Sequence, residues 1–115
     1  MVGPISQEAL ERPKRDIQAA SIFQRQAPMI ARACEEAHYV QSVIAEVSPD
    51  LRFRGISVIL TKDLSAHLAD IDEQSWTLVF SSDERLEDIL ERCSKMERNA
   101  RRRTEVMQKW LRKNQ

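Results

Sequence analysis

Glycine is nearly missing from this 115-residue chain, which has only Gly3 and Gly55. Two isolated glycines cannot build a phosphate-cradling loop, because such loops bring several backbone N–H groups close to one anion. Cysteine is equally scarce. Cys34 and Cys93 cannot staple a secreted mini-domain, so a reducing, cytoplasmic setting is expected. No charge dominates: 18 Lys and Arg balance 18 Asp and Glu, and the overall positive field of a dedicated nucleic-acid binder is absent. Aromatic residues make up 5% of the chain, too few to interleave with basic residues as a stacking platform for single strands. The longest apolar runs, such as 27–31, fall far short of the ~18 residues of a membrane span, and no membrane partner is expected. The opening segment 1–8 has neither the basic region nor the apolar stretch of a secretion signal.

What is present suits a single small domain. Apolar residues account for 42% of the chain, enough for a modest core and too many for a disordered chain. Three of the four prolines sit where helices start, since a missing N–H costs nothing at the first helical position. Pro13 opens a helix over 13–26, with Ile17, Ala20, Phe23 and Ala27 on one face. Residues 1–12 then form a flexible lead-in, and 13–115 the helical domain. Pro28 opens a second helix over 28–47, whose apolar positions Met29, Ile30, Ala33, Cys34, Ala37, Val40, Val43, Ile44 and Val47 recur at helical spacing. In Ser48-Pro49-Asp50 a capping serine precedes proline and an acid, the order expected at a helix N-terminus.

The middle supports two readings. Segments 56–61 and 75–80 are rich in β-branched and aromatic residues, as strands are. Yet Phe53, Ile56, Leu60, Leu64, Leu68 and Ile71 also share one helical face. That stripe and its start signal favour a helix over 49–71, with 75–80 as a short strand or a buried linker. The expected fold is therefore mainly α: three or four helices, with room for one or two short strands at 56–61 and 75–80.

The last third is the most regular. Ser81 and Glu84 have capping-box spacing, and a helix over 82–113 comes next without a breaker. Acids precede bases by four residues at Asp88–Arg92, Glu91–Lys95, Glu97–Arg101 and Glu105–Lys109, each worth ~0.2–0.5 kcal/mol. Leu86, Ile89, Cys93, Met96, Ala100, Met107 and Trp110 form an apolar stripe that only Arg103 interrupts. At ~1.5 Å per residue this helix is about 48 Å long and overhangs a compact domain of this size. Its far end carries Val106, Met107, Trp110 and Leu111, a cluster that monomers seldom leave in water. The expectation is a homodimer, or another protein, covering that end; a helix that breaks near Asn99 and folds back is the intramolecular alternative.

Candidate chemistry is thin. Cys34, His38, His67 and Cys93 contain the residue types of a zinc site but not its spacing, and both cysteines lie on apolar stripes. Glu35-x-x-His38 lacks the second copy that a di-iron bundle needs. His67 with Asp63 and Asp70 offers a base and carboxylates but no assignable nucleophile. No catalytic residue, metal or cofactor is expected.

Charge segregation is the clearest remaining signal. Residues 98–113 carry seven basic residues against Glu105 alone, whereas 83–97 carry six acids and three bases. Met107, Trp110, Leu111 and Val106, rimmed by Arg101, Arg102 and Arg103, have the composition of an interface hot spot. The expected function is a non-catalytic, homodimeric protein-binding regulator: an adaptor, a chaperone, or an anti-activator that masks a partner such as a transcription regulator. Nucleic-acid binding through the arginine segment is the rival reading.

Overall fold

The structure is a computed structural model that describes residues 7–114, with side chains from residue 9 onward. Expectations for residues 1–6 and 115 lie outside the described residues. The order is α1 (Gln7–Arg25), α2 (Ala27–Glu36), β1 (Gln41–Val47), β2 (Phe53–Leu60), a 3₁₀ turn (Thr61–Asp63), α3 (Leu64–Ala69), β3 (Trp76–Ser81) and α4 (Leu86–Lys113). The three strands form one antiparallel sheet in the order β2-β1-β3. The fold is thus mixed α/β: four helices, the long C-terminal one among them, make up most of the described residues, and the strands form one small sheet.

The helix expected over 28–47 ends at Glu36. A tight turn succeeds it, in which the Gln41 side-chain oxygen accepts the His38 N–H at 2.9 Å and the His38 carbonyl accepts the Gln41 N–H at 2.8 Å. Val43, Ile44, Ala45 and Val47 then run through β1 almost wholly buried. A central strand covered on both faces reads as a continuous apolar run, and such a run also matches helical spacing.

The helix expected over 49–71 is replaced by the β1–β2 hairpin, the 3₁₀ turn and the six-residue α3. Ser48-Pro49-Asp50 is a hairpin turn, because serine, proline and acid suit a type I turn as well as a helix start. The Leu51 N–H donates to the Ser48 carbonyl at 2.9 Å, and the Ser48 N–H to the Arg52 carbonyl at 2.8 Å. The Ser48 hydroxyl also donates to the Asp50 carboxylate, holding its pKa below the usual value. Leu51 takes the left-handed position (φ 63°) that closes such a loop. Its side chain packs on the core, which offsets a backbone strain of ~1–2 kcal/mol. Pairing slips by one residue between Glu46 and Val47, where Gly55, at φ 122°, takes a conformation few side chains allow. The strand readings of 56–61 and 75–80 correspond to β2 and β3.

One sheet face carries Val43, Ala45, Val47, Trp76 and Phe80, which pack with Phe23, Ile30, Cys34, Ile89 and Cys93 of α1, α2 and α4. Ile44 is 1% exposed yet lies outside this cluster, on the opposite face. The β2–β3 crossover carries the half-buried apolar residues Leu64, Leu68 and Ile71. Because β2 and β3 both run antiparallel to β1, they are parallel to each other and α3 is the crossover between them.

Helix α1 begins at Gln7 rather than at Pro13, which sits inside it. The lead-in expected over 1–12 is therefore helical from residue 7. The Pro28 start holds, at the head of α2. Helix α4 starts at Leu86, where the Asp88 carboxylate accepts the Arg85 N–H at 3.0 Å. Glu84 instead accepts the N–H of Ser81 at 2.9 Å. Without a break at Asn99, α4 runs 28 residues, about 42 Å. The molecule measures 54 × 28 × 22 Å with a radius of gyration of 16.4 Å, against about 13 Å for a compact chain of this length. A two-helix stalk causes the elongation: α1 packs along α4, more extensively than any other element pair. The far end of α4 is thus partly covered by its own chain, which narrows the exposed cluster expected there.

Both thiols are buried in the core. Burial raises the pKa of Cys34, with Glu84 adding to the effect, and burial alone raises that of Cys93. Above the ordinary thiol value of 9.0 the unfolded chain releases these protons while the folded chain keeps them, so stability falls as pH rises. Urea midpoints measured across that range should decline, and less steeply in Cys93→Ala. A thiol reagent at neutral pH should label neither cysteine until the chain unfolds; labelling of the native protein at a free-thiol rate would contradict this packing.

Candidate protein-binding surface

The stalk is locked by a carboxylate. Asp16 of α1 is 7% exposed. Its Oδ1 accepts the Trp76 indole N–H at 2.7 Å and lies 3.3 Å from Arg12 Nε. Its Oδ2 accepts from Arg103 of α4 at 2.8 Å. A carboxylate withdrawn from water needs such charged, hydrogen-bonding partners, and here three side chains from α1, β3 and α4 supply them. Arg12 also stacks on Trp76, 4.2 Å from the ring centroid, and donates to the Gln74 carbonyl at 3.3 Å. Arg15 donates to the Pro49 carbonyl of the hairpin turn. Five segments of the chain therefore meet around one acid.

This explains Arg103. It interrupts the apolar stripe of α4 because its guanidinium is spent on Asp16, 87 residues away in sequence. The interruption was the available sequence signal, since an arginine on a core-facing stripe calls for a buried acid elsewhere. The identity of that acid was not readable from α1 alone.

Beside this lock the two helices form a groove of about 460 Å³ lined by Ala9, Arg12, Pro13, Arg102, Arg103, Val106 and Met107. Four of the seven expected site residues meet here: Arg102, Arg103, Val106 and Met107. Val106, 60% exposed, is the most accessible apolar residue of the groove. Trp110 and Leu111 are half-buried on the final turns of α4 and do not line it. Arg101 is elsewhere, pairing with Glu97 at 3.1 Å. Ala9, Arg12 and Pro13 are contributions from α1 absent from the expected site, because 1–12 read as a lead-in and Pro13 as a helix start.

Several expected ion pairs are re-sorted. Arg92 bonds Glu84 at 3.2 Å instead of Asp88, and Arg98 reaches Glu91 at 3.0 Å. With Arg98, Arg101 and Arg103 neutralised, the basic residues of the segment that carry no ion pair among the described residues are Arg102, Lys109, Arg112 and Lys113. The candidate metal set does not come together: Cys34 and Cys93 are buried in the core, and His38 is exposed. His67 sits on α3. Among the described residues no group of three or more His, Cys, Asp or Glu is placed to hold an ion.

Removing the acid should open the stalk. Asp16→Ala strands the Trp76 N–H and two guanidinium groups and should cost about 3 kcal/mol, read as a lower urea midpoint at unchanged slope. Trp76→Phe keeps the ring face but loses the donor, and should cost about 1–2 kcal/mol. Equal, near-zero effects would show that the network contributes little. No protein family, characterised protein or solved structure matches this chain, so its function is argued from the site itself.

Proposed function

We propose that this protein is a non-catalytic binding module whose α1–α4 groove receives an amphipathic, acidic segment of another protein. By occupying that segment it would work as an adaptor, chaperone or anti-activator, masking a surface its partner uses elsewhere. The observation that carries this reading is the lining of the groove, apolar at Ala9, Pro13, Val106 and Met107 and cationic at Arg102. An apolar floor with a charged rim suits a helix laid into a groove through anchors three and four residues apart. Among the described residues the same lining offers no carboxylate, histidine or nucleophile to move a proton or attack a carbonyl.

The residual charge supports a protein partner over nucleic acid. Three of the seven basic residues in 98–113 are already paired with acids of this chain, which removes charge that phosphate tracking would need. Those left over lie around the exposed apolar end, the arrangement of a hot spot with a polar rim.

Affinity capture with the wild-type chain and with Val106→Asp and Met107→Ala, both in the groove lining, tests the assignment. A protein retained by the wild type should be weakened by about 2 kcal/mol or more, roughly 30-fold, in each variant. Arg102→Ala should mainly slow association and reduce its salt dependence. Retention of the partner by both apolar variants would refute the site. Binding to duplex DNA with a log–log salt slope that Arg102→Ala lowers by about one would favour the rival reading.

A further inference from the structure

The sheet has two margins, and they are treated differently. At β3, Arg92 of α4 lies over the Phe80 ring, 4.4 Å from its centroid, and donates to the Val79 carbonyl. At β2, no side chain among the described residues bonds a main-chain group of Phe53–Leu60. Edge strands are normally guarded by lysine, proline, inward charge or a covering element, because their unpaired N–H and C=O groups invite another strand. The sole charged residue of β2 is Arg54, beside the Gly55 bulge. The remaining stretch, Ile56-Ser57-Val58-Ile59-Leu60, is uncharged and unguarded.

Exposed apolar side chains gather at the same margin. Val58 is 45% exposed and Leu60 42%, and they share one face of the strand. Beside them lie Tyr39, 90% exposed, and Val40, 46%, bound to the end of β2 through the Thr61 N–H, which donates to the Val40 carbonyl at 2.9 Å. These are four of the seven large exposed apolar residues among the described residues, so the patch is a concentration and not a scatter.

We propose that β2 pairs with β2 of a second copy, antiparallel about a two-fold axis at Val58, to give one continuous six-stranded sheet. An antiparallel strand edge is complementary to itself across such an axis, so one patch supplies both sides. With Val58 on the axis, Val58 meets Val58 and Ile56 meets Leu60. The exposed apolar side chains then cover one another, and Arg54 falls beyond the paired stretch. Charge selects this margin for self-association over the groove. The chain is neutral overall and the 56–60 edge is uncharged, whereas joining two stalk ends would bring two basic segments together.

Light scattering after size exclusion should give twice 13.3 kDa for the wild type at micromolar concentration. Val58→Lys should elute at the monomer mass with unchanged circular dichroism. Val58→Cys under mild oxidation should form a disulfide between copies without unfolding, the native thiols being buried. A monomeric wild type would overturn the proposal. So would a dimer that survives Val58→Lys, or one that fails to cross-link through position 58. A dimer lost in Val106→Asp but kept in Val58→Lys would place self-association in the groove instead and contradict both the edge pairing and the assignment of the groove to another protein.

Discussion

A buried carboxylate is the point on which this structure turns. Asp16 gives up most of its hydration, and the charge is tolerable only because Trp76, Arg12 and Arg103 converge on it. Meeting that requirement fixes α1 against α4, brings the end of β3 to both, and draws the hairpin turn in through Arg15. The apolar core does the bulk stabilisation lower down, around Phe23, Ile30, Phe80 and Ile89. What Asp16 adds is register. It holds two helices side by side at the end of the sheet where β3 begins, next to the groove.

How much of the fold was legible depends on what each pattern could be confused with. Helix α4 was readable because length, an apolar stripe and acid-before-base order all agree, and nothing else produces that combination. Strand β1 was not, since Val43, Ile44, Ala45 and Val47 are buried on both faces and a doubly buried strand loses the alternation that would distinguish it. Ser48-Pro49-Asp50 was misleading for a different reason. Helix starts and type I turns reward the same residues, and only the pairing of 53–60 with β1 decides between them. The groove was half legible. Val106, Met107, Arg102 and Arg103 were identifiable on α4, but the α1 wall came from a segment where Pro13 suggested a helix start although the helix was already under way.

The two proposed surfaces make different physical demands. The groove is a cationic-rimmed hollow on the stalk, suited to a partner that brings apolar anchors and negative charge. The β2 margin is uncharged and made of main-chain groups, suited to a copy of itself. Keeping the functions apart leaves the stalk ends free in a dimer joined through its sheets, so that one assembly would present two grooves.

The groove depends on α1 and the far half of α4 behaving as one unit. Native-state hydrogen exchange, measured residue by residue, tests that directly. Amides around Asp16 in α1 and around Arg103 in α4 should open together, with a common free energy close to that of the core. Fast exchange through the far half of α4 while α1 stays protected would mean that the helices are independent, and the groove would not exist as a preformed site.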